Sequence, residues 1–317
     1  MPELFIENNG LQSPDVLEGM KLTWERRGTP GRLDFTVLKD DALSFTEGDP
    51  VRLDADGGTL FFGFVFTKKR NKDGTIQVTA LDQLRYFKNK DTLVDEGLTA
   101  SALLRRLAED FRLNLGAVAD TGYVLDAVVE ENQTLFDMVQ GALDETLLHT
   151  GRLYVLYDDA GRLTLRDIRE MRLDTLIDDA AAEDYSYESS IDAQTYNKVK
   201  LAFDNEKTGR RELFIAQDGA KMNDWGVLQY FETLRTGTGA AAKAEALLKL
   251  YNHRTRRLTV KNAFGDTRVR AGCALPVSLT LGDVVVANYM VVEKVVHTFG
   301  DGTHFMDLEL IGGEFIA

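Results

Sequence analysis

The side chains that could do chemistry in this 317-residue chain are few and scattered. Its single cysteine, Cys273, stands in Arg270-Ala271-Gly272-Cys273-Ala274-Leu275-Pro276, a loop entering a strand. A lone cysteine forms no intramolecular disulfide and no cysteine-rich zinc site. Nothing around it marks a nucleophile, so it reads as a small buried residue. His297 and His304 bracket a Gly-Asp-Gly-Thr turn and could face each other across a hairpin. Two imidazoles need a third ligand to hold a metal. Asp301 or Asp307 could supply one, but a pair at a strand end is the plainer reading. Adjacent carboxylates (Asp158-Asp159, Asp178-Asp179) sit on turn-like stretches, and no glycosidase acid/base pair stands out. Gly237-Thr238-Gly239 is too short for a phosphate-binding loop. The expectation is no catalytic residue, no cofactor and no metal.

Composition narrows the classes further. Hydrophobic content of 44% and charged content of 28% fit a soluble globular protein of two or three domains. No basic-then-apolar leader opens the chain, and no apolar run reaches the roughly 18 residues of a membrane span. The expectation is a chain folding in a reducing cytoplasm without a membrane anchor. A net charge of -14 argues against stable nucleic-acid binding, because phosphates demand a basic patch. The excess is local: residues 121–200 carry 17 acidic against 7 basic side chains.

The elements around these residues are mostly strands, and one unit occurs twice. Thr46-Glu47-Gly48-Asp49, the run Leu60 to Phe66, a Lys-Asp-Gly-Thr turn and Ile76 to Asp82 are echoed later. The echo is Thr280-Leu281-Gly282-Asp283, Met290 to Val296, Gly300 to Thr303 and His304 to Leu310. Asp-Gly turns supply positive φ, and Met306, Leu308 and Leu310 alternate with Phe305, Asp307 and Glu309 as a half-buried strand does. Shorter strands at Leu4–Ile6, Leu22–Trp24 and Leu33–Leu38 complete the first half, with Trp24 in its core.

Between the copies the period becomes 3.6. Thr99 caps a helix through Phe111, the run Tyr123–Val129 reads as a strand, and a helix from Leu135 is stopped by Gly151. Hairpins follow at 153–165 and 197–216, a helix at Ala240 to Tyr251, and strands at Arg257–Val260 and Asp266–Arg270. The acidic stretch Asp178 to Asp184 is the linker candidate. The fold expected is α+β and predominantly β, with two similar small β-barrel modules at the chain ends flanking an α+β middle domain. The divisions are 1–90, 91–184 and 185–317, the last with one inserted helix (238–253).

Several stretches resemble the XkdQ/YqbQ-type tail proteins of phages and phage-derived particles, relatives of the bacteriophage T4 baseplate hub. They are Val78 to Tyr86, Asp224 to Gln229, Val269 to Gly272, and Val292 to His297 running into Asp301 to Met306. The resemblance spans nearly the whole chain and rests on their order. It implies a homotrimeric structural hub joining a sixfold tail tube protein to a threefold spike protein in a contractile tail or bacteriocin-like particle. It further implies other baseplate components and the tape-measure protein as partners. The candidate contact residues are Lys68, Lys69 and Arg70 at one hairpin tip, Arg254, Arg256 and Arg257 near the late helix, and Trp225, His297 and His304. A glycan-binding module stacking sugars on Trp24 or Trp225, and a tail-associated cell-wall hydrolase, stay open as alternatives.

Overall fold

Alternating apolar and polar residues fold most of this chain into antiparallel strands joined by tight turns. A computed structural model describes residues 2–40, 42–181, 183–192, 194–281, 284–300 and 302–312. Thirteen strands form one sheet, and twelve of them fall into two runs of six with the same spatial order. The first run reads Met20–Glu25, Arg32–Leu38, Thr75–Leu81, Gly58–Arg70, Pro50–Ala55, Glu3–Glu7. The second reads Asp184–Ser190, Thr255–Phe264, His304–Gly312, Val284–Phe299, Ala274–Leu281, Ile177–Asp178. Neighbours are antiparallel in both runs except at the last pair, where Ile177–Asp178 lies parallel to its partner.

The correspondence holds residue by residue. Val65 pairs with Ala80 and Val292 with Leu310, and each long strand then bulges, at Phe66 and at Glu293. Behind Val65, the Gly48 amide donates to the Val65 carbonyl at 2.8 Å and the Val65 amide to the Asp49 carbonyl at 2.9 Å. Behind Val292, Gly272 and Cys273 repeat both bonds at 2.8 Å. Gly48 and Gly272 share a φ of +91° and +92°, the region that glycine tolerates. The sequence echo therefore needs a correction. Gly48-Asp49 corresponds to Gly272-Cys273, and not to Gly282-Asp283, which together with Asp301 lie outside the described residues.

The two expected barrels are also corrected, because no sheet among the described residues closes on itself. Beyond its bulge, Val284–Phe299 pairs with Met20–Glu25 of the other run, from Lys294 opposite Glu25 to Phe299 opposite Met20. Closure of the first run would need that same edge of Met20–Glu25, and it is occupied. The Arg26 amide extends the joint to the Glu293 carbonyl at 2.8 Å, and its guanidinium Nε reaches the Glu293 carboxylate at 2.6 Å. One apolar core crosses the joint, holding Leu22, Leu33 and Val51 with Leu258, Val291 and Val295, all fully buried.

The middle of the chain builds a second core. Helix α1 (Ala100–Asp110) starts where Thr99 accepts the Ala102 amide, and α2 (Leu135–Thr150) where Thr134 accepts that of Asp137. Gly151 ends α2 at a φ of +69°. Leu103, Leu104, Leu135 and Met138 meet beneath two small sheets. The strand expected at Tyr123–Val129 lies further on: Val128–Thr134 pairs with Lys90–Asp95, while Val124 makes only a bridge to Thr99.

A third core sits on the hairpin Lys198–Asn205 and Arg210–Gln217, which Gln229–Leu234 joins after a short helix α3 (Gly219–Trp225). Helix α4 (Ala240–Tyr251) brings Ala244 and Leu247 to Val199, Leu201 and Ala216. The expected strand Asp266–Arg270 is a turn, because the Asp266 carboxylate accepts the Arg268 amide at 3.0 Å and folds the backbone over. The expected linker is fastened at its start by Ile177–Asp178 in the sheet and again by Ala181, which accepts the Phe264 amide at 3.2 Å. Among the described residues no helix is long and apolar enough to cross a membrane.

The paired glycines give a test. Gly48→Ala should cost about 1–2 kcal/mol, the penalty of a left-handed backbone, since open space surrounds the new methyl. Gly272→Ala should cost more, because its Cβ would stand 2.6 Å from Val155 Cγ1. Urea unfolding of both variants checks the order; equal or negligible losses would contradict it.

Candidate functional site

The two histidines singled out from sequence do meet. His297 Nδ1 lies 2.9 Å from His304 Nε2, while His297 Nε2 lies 2.8 Å from the Val269 carbonyl. A carbonyl only accepts, so His297 Nε2 carries the proton and donates. His297 Nδ1 then accepts from His304 Nε2–H. His297 is fully buried, edge-on to Trp24 with ring centroids 5.4 Å apart. Burial, and then the neighbouring His304, lower its pKa to about 3. His304, half-buried, is lowered too, chiefly by desolvation. Asp307, one of the two side chains that could have supplied a third ligand, is instead bonded to the Lys261 ammonium and the Asn262 amide, each at 3.0 Å. No cluster of three metal-ligating side chains occurs among the described residues. The pair is a neutral pin across the last hairpin.

A second polar cluster escaped the sequence reading. Asp82 Oδ2 accepts the Gly31 amide at 2.8 Å and Oδ1 the Leu84 amide at 3.0 Å, so it caps the short helical turn Gln83–Lys88. Asp158 accepts Gln83 Nε2 at 2.8 Å and the Gly161 amide at 2.7 Å. Burial pushes both carboxyls up, and for Asp82 the charge of Asp158 adds to it. Arg270 lies over the Tyr157 ring at 4.0 Å and the Trp24 ring at 4.9 Å, donating to the Asp158 carbonyl at 2.8 Å. Every carboxylate oxygen here is taken by a donor of the fold, which makes the cluster a clamp between the first run and the middle sheet. Its sequence signal was an aspartate two residues ahead of Leu84, the spacing of a cap.

The basic candidates lie apart from one another. Lys69 and Arg70 are exposed at the far end of Gly58–Arg70, whereas Lys68 folds back, its ammonium 4.5 Å over the Phe45 ring and bonded to the Phe45 carbonyl. Arg254, Arg256 and Arg257 are exposed at the start of Thr255–Phe264. Trp225, half-buried, closes α3 with Lys221 at 5.3 Å and Arg254 at 5.9 Å from its ring, so cations already occupy the sugar platform considered for it. Trp24 is buried and offers no platform at all. A groove of about 680 Å³ runs past Glu25, Asp144, Glu188, Arg257, Lys294 and Glu309, lined by mixed charge.

The histidine pair carries a pH signature. His297 stays neutral when folded down to about pH 3 but protonates below about 6.5 when unfolded, so its contribution is complete above 6.5 and declines as pH falls. The urea midpoint should drop more steeply between pH 7 and pH 5 in the native protein than in His297→Gln. Parallel pH dependences would contradict the assignment.

With that geometry established, known proteins supply the context. The protein XkdQ of the phage-like element PBSX of Bacillus subtilis is 30% identical, covering 98% of this chain and 97% of its own length. The 43 kDa tail protein of prophage MuSo2 from Shewanella oneidensis shares the fold at TM-score 0.74 and 12% identity, covering 99% of this chain and 100% of its own. An Escherichia coli component of the type VI secretion system, c3393, described as similar to T4 tail proteins gp27 and gp5, matches at TM-score 0.60 and 13% identity. It covers 98% of this chain and 77% of its own length. The family model described as YQBQ-like matches residues 20–311, and the chain belongs to the YqbQ-like family.

Proposed function

We propose that this protein is a structural hub of a phage tail or related contractile particle, a homotrimer that adapts a sixfold tail tube to a threefold spike. One observation carries the reading: each chain holds two runs of six strands in the same order, so three chains bring six equivalent runs around an axis. Membership of the YqbQ-like family and the tail-protein fold support it. In this reading residues 1–90 and 185–317 carry the two pseudo-equivalent units, the second completed by Ile177–Asp178 and Asp184, and the rest of 91–184 stands between them. The partners are the tube protein, the spike protein, other baseplate components and the tape-measure protein. Lys68, Lys69, Arg70, Arg254, Arg256, Arg257 and Trp225 belong to the contact surfaces, while His297 and His304 act from within by holding a hairpin. The acidic stretch 121–200 repels polyanions, which suits a conduit through which a polymer must pass without sticking.

Native mass measurement of the purified chain, alone and with its candidate spike, tests the reading. The expected mass is about 106 kDa, three chains of 35.4 kDa, in at least one condition. A monomer in both overturns it.

A further inference from the structure

The joint between the two runs has a counterpart in which, among the described residues, no strand is paired. Inside the chain, Lys294–Phe299, the part of the long strand beyond its bulge, pairs with Met20–Glu25. By the correspondence of Val292 with Val65, the matching stretch of the first run is Thr67–Arg70. One edge of that stretch is bonded to Thr75–Leu81, and among the described residues its other edge has no strand partner. The match to Met20–Glu25 in the second run is Asp184–Ser190, since Leu22 pairs with Leu33 as Tyr187 pairs with Leu258. Asp184–Ser190 ends the sheet, and its outer edge too has no strand partner among the described residues. Six strands separate the two open edges within the chain.

We infer that these two edges pair with each other between copies of the chain: Thr67–Arg70 of one copy adds to Asp184–Ser190 of the next, in the register of the internal joint. The inference rests on the trimer proposed above and names its contact. The internal register places Val296 opposite Thr23 and His297 opposite Leu22. Transposed, it sets Lys69 opposite Glu188 and Arg70 opposite Tyr187. Lys69, Arg70 and Glu188 are exposed, as an unformed contact requires. Charge agrees with the pairing: Lys68, Lys69, Arg70 and Lys72 crowd one edge, and Glu183, Asp184 and Glu188 the other. The internal joint has the same polarity, with Lys294 on the long strand 3.1 Å from Glu25 on the short one. Within its own sheet Glu188 lies opposite Arg257, so the contact would set an acidic side chain between two basic ones. A basic edge repels its own copy, which makes the association head-to-tail and leaves closure to the rotation per chain.

A chain carrying both Lys69→Cys and Glu188→Cys tests this, with each single variant as control; the native Cys273 is buried. Directly opposed residues of an antiparallel pair fall within disulfide reach. Under mild oxidation of the chain, alone and with the candidate spike, the double variant should give a reducible ladder ending at three copies, and the single variants none. A ladder running past three copies upholds the joint and overturns the trimer. A native mass of three copies without any cross-link overturns the joint and leaves the trimer standing. A monomeric mass with no cross-link in either condition overturns both. In parallel, Lys69→Glu and Glu188→Lys should each weaken association at least tenfold while the chain keeps its native circular dichroism, and the double exchange should restore association. Unchanged association in either single exchange also overturns the joint.

Discussion

A strand that ends a sheet presents a row of unpaired amides and carbonyls, and that constraint organises this molecule. Met20–Glu25 would be such a strand if the first run stood alone. Val284–Phe299 covers it, reaching across the joint only because the bulge at Glu293 turns its second half away from Ala274–Leu281. The core shared by the two runs follows from the joint, since Leu22 and Val295 are buried on the strands that it pairs. The Arg26–Glu293 pair is then drawn to the corner where both chain directions change.

The polar groups inside are arranged to spend no hydrogen bond on solvent. His297 donates at one nitrogen and accepts at the other, and Asp82 and Asp158 each accept at both oxygens from groups the fold itself supplies. These are residue types that elsewhere move protons. Here each is saturated by neighbours that stand mostly in turns and short helical segments, and each fixes where a turn meets the sheet. Removing a partner would leave a buried donor or acceptor without one, which costs more than the bond itself contributes.

Local features were readable in the sequence and distant ones were not. Thr99 and Gly151 announced bounds of the two middle helices, and Asp-Gly turns announced the hairpins, because caps and turns act within a few residues. The facing of His297 and His304 followed from the same turn geometry. Helix α3 went unseen since its seven residues bury none of their side chains and so leave no apolar period. Asp266–Arg270 alternates like a strand, but the Asp266 side chain captures the backbone first. The repeat was legible as an order of elements, yet its register was misplaced by a chance likeness of two stretches of sequence, Thr46–Asp49 and Thr280–Asp283. The joint had no sequence signal, because strand pairing between residues so far apart depends on the finished shapes of both runs. Whether the runs would close separately or merge was therefore beyond a pattern of alternation.

That distance has a consequence for how the protein is made. Arg26 and Glu293 are 267 positions apart, so the first run is synthesised long before its covering strand exists. At elongation rates of roughly 5–20 residues per second, its outer edge waits on the order of ten to fifty seconds at the ribosome. During that interval nascent neighbours on one message carry the same open edge at high local concentration. The charged and threonine-bearing face of Met20–Glu25, with Lys21, Thr23 and Glu25 alternating against the core, keeps that strand from acting as a template until the last hairpin arrives.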